Sequence, residues 1–166
     1  FYRYETSSDD IVAAQQGATC SPERIGVQHC LNPDAPCAAG VNGAPVFAHT
    51  AEDPSVFRDG RGNWHMLLNA LPWSCIPKDM QGGHAWSLDG VGWSEPRVGA
   101  YNTTVKFTDG SEMRCERRER PQMIMNTTQQ QPLALVSGMV NCPPFGPIYK
   151  GGTDSFTLVQ EMVQHA

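Results

Sequence analysis

Two stretches of this chain repeat one plan. "AEDPSVFRDGRGNWHMLLN" (51–69) and "RERPQMIMNTTQQQPLALVSG" (118–138) each run from an acidic residue through proline into an apolar strand. Each then passes a polar turn into a second apolar strand, and Pro54 and Pro121 mark the same step of the two copies. Proline cannot donate to a sheet ladder, so it belongs at a strand start, an edge or a bulge. Such a repeat confines the chain to β-hairpins, and the remaining sequence agrees. "HAWS" leads through "LDG" to "VGWS", and "YNTTVKF" turns at "TDGS" into "EMRCERR". "FYRY" reads as a strand from the first residue, and "SFTLVQEMV" as the last. Asp-Gly between strand-like runs is a strong short-range hairpin signal, and helical periodicity is nearly absent. The expected class is an all-β meander.

Repeated β-units of roughly 40–50 residues signal propeller blades, and loop insertions would stretch that period to the spacing seen here. "SLDGVGW" (87–93) fits a propeller hairpin in which Ser87 and Asp89 tie the turn and Trp93 packs between blades. It is one residue shorter than the Asp-box spacing of sialidases. About three blades can be counted, and an open ring exposes strand edges, so residues 1–166 are expected to form a single partial β-propeller domain whose first blade precedes residue 1. The irregular stretches 13–45 and 70–82 carry four of the six cysteines and are expected to rim a binding face.

Composition narrows the function. A hydrophobic content of 40% with 17% charged residues is that of a globular chain, not a disordered one. The net charge of −5 and the acidic residues Glu116 and Glu119 inside the only dense basic run, Arg114 to Arg120, argue against nucleic acid. No apolar run reaches ~18 residues, so no membrane span is expected. The six cysteines form no CxxC pair and no histidine cluster has zinc spacing, so neither a metal nor another cofactor is expected. An even cysteine count with two sequons, Asn102-Thr103-Thr104 and Asn126-Thr127-Thr128, points to a secreted, disulfide-bonded glycoprotein. The cysteine pairing is left open.

In a propeller, the inner strands of successive blades start around one central funnel. "EDP" would bring Asp53 there and "ERP" would bring Glu119. Two carboxylates across a funnel suit glycoside hydrolysis, in which one donates a proton to the leaving oxygen and another acts as an anion. Strand alternation is expected to turn Arg118 and Arg120 away from Glu119 and to leave Arg117 one step along the strand, so that none of them quenches the acid. His84, after two glycines, is a candidate sugar contact at a close backbone approach. Arg120, His49 and Asn69 are candidate contacts to sugar hydroxyls, and Trp73 could stack on a sugar face.

The ordered motifs "HTAEDPSVFRDGRGNWHMLLNALP", "GGHAWSLDGVGWS", "AYNTTVKFTDGS", "RRERPQMIM", "PLALVSGMV" and "SFTLVQ", over roughly residues 45–160, resemble the five-bladed β-propeller superfamily of arabinanases, levansucrases and invertases. The resemblance implies a carbohydrate substrate, with furanosides and pentosides as the candidate classes, Glu119 as general acid and Asp53 as the aspartate that stabilises the transition state and orients the acid. The superfamily's third carboxylate, a first-blade aspartate acting as nucleophile or base, has no match here, because Asp9, Asp10 and Asp34 lie in polar or loop contexts. The rival expectations are a non-catalytic carbohydrate-binding propeller and an extracellular interaction module. The intact protein is expected to be monomeric.

Overall fold

The computed structural model describes residues 2–4, 24–27, 45–47, 51–70, 82–143 and 154–162. These residues form eleven strands and no helix: β1 (Tyr2–Tyr4), β2 (Arg24–Gly26), β3 (Glu52–Arg58), β4 (Trp64–Asn69), β5 (Gly82–Ser87), β6 (Arg97–Val98), β7 (Thr104–Lys106), β8 (Glu112–Arg114), β9 (Arg117–Asn126), β10 (Gln131–Val140) and β11 (Ser155–Glu161). They make four antiparallel sheets, β1-β2, β3-β4-β5-β6, β7-β8 and β9-β10-β11, none closed into a barrel. Within each sheet, strands that follow one another in sequence are neighbours in space. The all-β meander is therefore correct.

Side chains of the chain itself fold the turns. At the β3–β4 turn, Asp59 Oδ1 accepts from the Arg61 and Asn63 amides at 3.0 and 2.8 Å. At "SLDGVGW", Ser87 Oγ accepts from the Gly90 amide at 2.9 Å, and Asp89 Oδ1 accepts from the Val91 and Gly92 amides, both at 2.9 Å. Ser87 and Asp89 thus tie this turn as expected. "VGWS", however, is not a ladder strand. Asp89 has taken the amides that would begin it, so pairing with β5 first passes through Ser94, bonded to Trp86, and resumes at β6. A second difference is β2, a short strand inside the stretch read as irregular. Its partner β1 lies far away in sequence, where no hairpin signal can announce it.

Strand β4 of the four-stranded sheet is buried on both faces over Met66–Asn69. Successive strand residues point to opposite sides, so Met66 and Leu68 of β4 face one way and Leu67 and Asn69 the other. Met66, Leu68 and Ala85 pack with Ile25, Phe47, Ala51 and Ala70, and Trp93 lies against that cluster. Leu67 packs instead with Tyr101, Leu135, Phe57 and Met123. This double burial explains why "WHMLLNA" reads as a continuous apolar run. A third cluster joins β7-β8 to β10-β11 through Val105, Met113, Cys115, Met139 and Cys142. A disulfide between Cys115 and Cys142 lies within it. The other four cysteines lie outside the described residues.

A duplicated bulge and a cluster of carboxylates

The two E-x-P segments fold alike. In β3, Glu52 pairs with Asn69 and the next ladder pair is Ser55 with Leu67. In β9, Glu119 pairs with Gly138, and after the same irregularity Gln122 pairs with Val136. Each segment therefore holds one more residue than the strand opposite, which is a β-bulge. The middle residue takes the left-handed conformation in both: Asp53 at φ 52° and Arg120 at φ 53°. For a residue with a Cβ this conformation costs on the order of 1–2 kcal/mol. Strain of that kind persists where surrounding structure over-determines it.

This register aligns Glu52 with Glu119, and Asp53 with Arg120. The sequence reading aligned Asp53 with Glu119, and it missed Glu52. The signal was present in the chain, since both motifs read Glu-x-Pro. The two bulged strands also touch: β3 and β4 both contact β9, and the Met123 amide donates to Ser55 Oγ at 3.2 Å.

Between them stands Tyr101, which the sequence reading also missed. It is buried, and its hydroxyl donates to the Leu68 carbonyl at 3.0 Å. Burial holds its proton on well above the usual tyrosine range. Arg118 works against this, while the charges of Asp53, Glu119 and Glu52 reinforce it.

Glu119 is 8% exposed, and Arg117 Nη1 meets its Oε1 at 3.1 Å. Arg120 Nη1 lies 3.9 Å from its Oε2, with the Arg120 side chain 75% exposed. The expectation that the arginines leave Glu119 alone therefore holds for Arg118 only. Arg117 shares a pleat face with Glu119, and a guanidinium easily spans one i, i+2 step. The bulge takes Arg120 out of strict alternation. Arg118 turns to the other face, where it donates to Ser137 Oγ at 3.2 Å and Gln160 Oε1 at 3.1 Å and lies over the Tyr101 ring. Desolvation in this buried position lowers its affinity for its proton, and the neighbouring Tyr101 works the other way.

Asn69 is buried under Glu52. Its Nδ2 donates to Glu52 Oε1 at 3.1 Å, and its Oδ1 has no partner among the described residues. Asp53 is half-buried. His84 belongs to a separate network, in which its Nε2 lies 2.9 Å from His65 Nδ1 and His65 Nε2 lies 3.4 Å from Asp59 Oδ2. Burial, and then the charges of His65 and Arg97, push the His84 pKa down. The close approach expected at the glycines before it is real, but protein occupies it. A Cβ on Gly82 would meet the ring and main chain of Tyr101, and one on Gly83 would meet Leu68 and Ala70. His49 and Trp73 lie outside the described residues.

A cleft of about 360 Å³ beside the Ser87–Trp93 turn is lined by Trp86, Leu88, Asp89, Gly92, Trp93 and Ser94. It contains none of the expected site residues. Among the described residues, no group of three or more His, Cys, Asp or Glu side chains is placed to hold a metal ion. Neither a family model, a curated protein nor a solved structure matches this chain.

Proposed function

We propose that the chain is part of a five-bladed β-propeller of glycoside-hydrolase type that cleaves a glycosidic bond at the carboxylate cluster around Tyr101. The substrate class is a carbohydrate, with furanosides and pentosides the first to try, and the setting is extracellular. The propeller arrangement is supported by β4, which is covered on both faces as a central strand of an internal blade would be. Glu119 is the proton donor and Asp53 the modulating carboxylate. The observation that carries this reading is the duplicated bulge, which sets a Glu-x-Pro segment with a left-handed middle residue in each of two strands that touch. On this reading substrate must draw Arg117 off Glu119 before the proton can be delivered.

The test is turnover of a panel of aryl glycosides by the intact protein beside its Glu119→Gln variant. Removal of a general acid typically lowers rate ~10²–10⁴-fold, most for poor leaving groups. Equal turnover by the two proteins would remove Glu119 from the chemistry.

The Arg117–Glu119 pair favours a second reading, a carbohydrate-binding propeller without turnover, because the pair ties up the donor at 3.1 Å. Binding on a glycan array with no hydrolysis of the bound sugar would select it.

A further inference from the structure

Resting on the glycoside-hydrolase reading, we propose that Glu52 is the second carboxylate of the site and acts as general base on the attacking water, with Asn69 as its positioning residue.

Three observations lead there. The bulge register makes Glu52, not Asp53, the counterpart of Glu119, so the two glutamates occupy the same step of two strands that touch. Their charges, with that of Asp53, act on the same Tyr101 hydroxyl. The third observation concerns the residue that grips Glu52. Asn69 is 1% exposed; its Nδ2 is spent on Glu52 Oε1 at 3.1 Å, and its Oδ1 has no donor among the described residues. A buried acceptor left unmade is costly, and in a native protein it calls for an explanation. The Oδ1 belongs to the amide that grips Glu52, so a donor supplied to it stands next to the Glu52 carboxylate.

That place is closed to water in this state, and substrate must open it to one water. One of its O–H groups donates to Asn69 Oδ1 and the other to Glu52, which leaves an oxygen lone pair free for the anomeric carbon. The two glutamates also differ in their partners. Glu119 has two guanidinium contacts, whereas Glu52 is held by a neutral amide and is half-buried, within reach of solvent. In the step itself, the water oxygen bonds to the anomeric carbon as the glycosidic C–O bond breaks. The water proton passes to Glu52, and the proton of Glu119 passes to the departing oxygen. A single displacement of this kind inverts the anomeric centre.

The experiment follows wild-type, Glu119→Gln, Glu52→Gln and Glu52→Asp proteins on aryl glycosides of good and poor leaving ability. The anomer first released by the wild type is read by proton NMR, and folding of each variant by circular dichroism. The expected result has four parts. The first-formed product is inverted. Glu52→Gln loses on the order of 10²–10⁴-fold on good and poor leaving groups alike. Azide restores its turnover of the activated substrates as the inverted glycosyl azide. The acidic limb of kcat/KM disappears in this variant, while Glu52→Asp keeps that limb at a reduced rate. Retention of configuration overturns the base role outright and needs no variant. Wild-type turnover by Glu52→Gln, together with an impaired Glu119→Gln, overturns Glu52 alone and leaves the site reading standing. Equal turnover by wild type and Glu119→Gln, or no turnover by the wild type, overturns both.

Discussion

Replacing Cys115 and Cys142 together by alanine cuts the covalent tie between the end of β8 and the end of β10. The two residues are 27 apart in sequence, and β9, with Glu119, lies inside the loop they close. In the chain-entropy account, a cross-link over a loop of that length removes unfolded-state freedom worth about 3.5 kcal/mol at 25 °C. Both sulfurs also lie in the cluster with Val105, Met113 and Met139, so their loss adds a smaller packing deficit. At roughly 2–4 °C per kcal/mol for a chain of this size, the midpoint of thermal unfolding should fall by about 7–14 °C. Alanine is the right replacement, because serine would leave hydroxyls in that apolar cluster to find partners. The assay is urea unfolding of wild type and double variant, followed by tryptophan fluorescence, with intact-mass analysis to verify the bond in the wild type. The midpoint should drop and the slope should rise, because the unfolded chain without the cross-link is more expanded and exposes more surface. A loss under about 1 kcal/mol, with the bond verified, would refute the argument, because it would mean that the 115–142 loop is already closed in the unfolded chain or that the cross-link strains the native state.

Gly82→Ala should destabilise the protein by about 1–3 kcal/mol, since the new methyl meets Tyr101 Cγ at 2.5 Å; thermal denaturation reads it, and an unchanged midpoint would contradict the close approach. Tyr101→Phe removes the donor to the Leu68 carbonyl and should cost about 1 kcal/mol in the same assay, with the fold kept. Because His84 binds its proton less readily in the folded state than at its ordinary 6.5, its neutral form contributes stability that is complete above that pH and is lost as pH falls through its lower folded value. Unfolding midpoints measured between pH 7.5 and 5 should therefore decline toward acid, and His84→Gln should flatten the decline; an identical slope in the variant would exclude His84 as its source.

Much of the fold was legible because the chain writes its hairpins locally. "TDGS" closes β7 on β8 through Asp109, whose carboxylate takes the Ser111 amide at 2.9 Å, and "NTTQ" closes β9 on β10 through Asn126 in the same way. A turn that its own side chain closes can be read from a few adjacent residues. The strand β2 could not be read so, because its partner β1 is distant in sequence and no turn signal joins the two. The apolar run of β4 was legible as a strand, but that both of its faces are covered depends on Ile25 and Phe47 on one side and Leu135 on the other, contacts between distant parts of the chain.

The site divides along the same line, and a single extra residue accounts for the division. Strict alternation assigns faces by counting in twos, and it did place Arg118 opposite to Glu119. A bulge ends that count: it sets Arg120 in the left-handed region, brings Arg120 to 3.9 Å from Glu119, and shifts the repeat so that Asp53 is the equivalent of Arg120 and Glu52 that of Glu119. The proline of each motif was the available sign, since proline inside a sheet is tolerated at bulges. Counting from Pro54 and Pro121 back to the preceding glutamates, instead of matching one acid to another, yields the pairing of the structure. The same extra residue in two neighbouring strands is difficult to attribute to packing alone, because it twice holds a non-glycine residue at positive φ, and on both occasions a glutamate stands one residue before it.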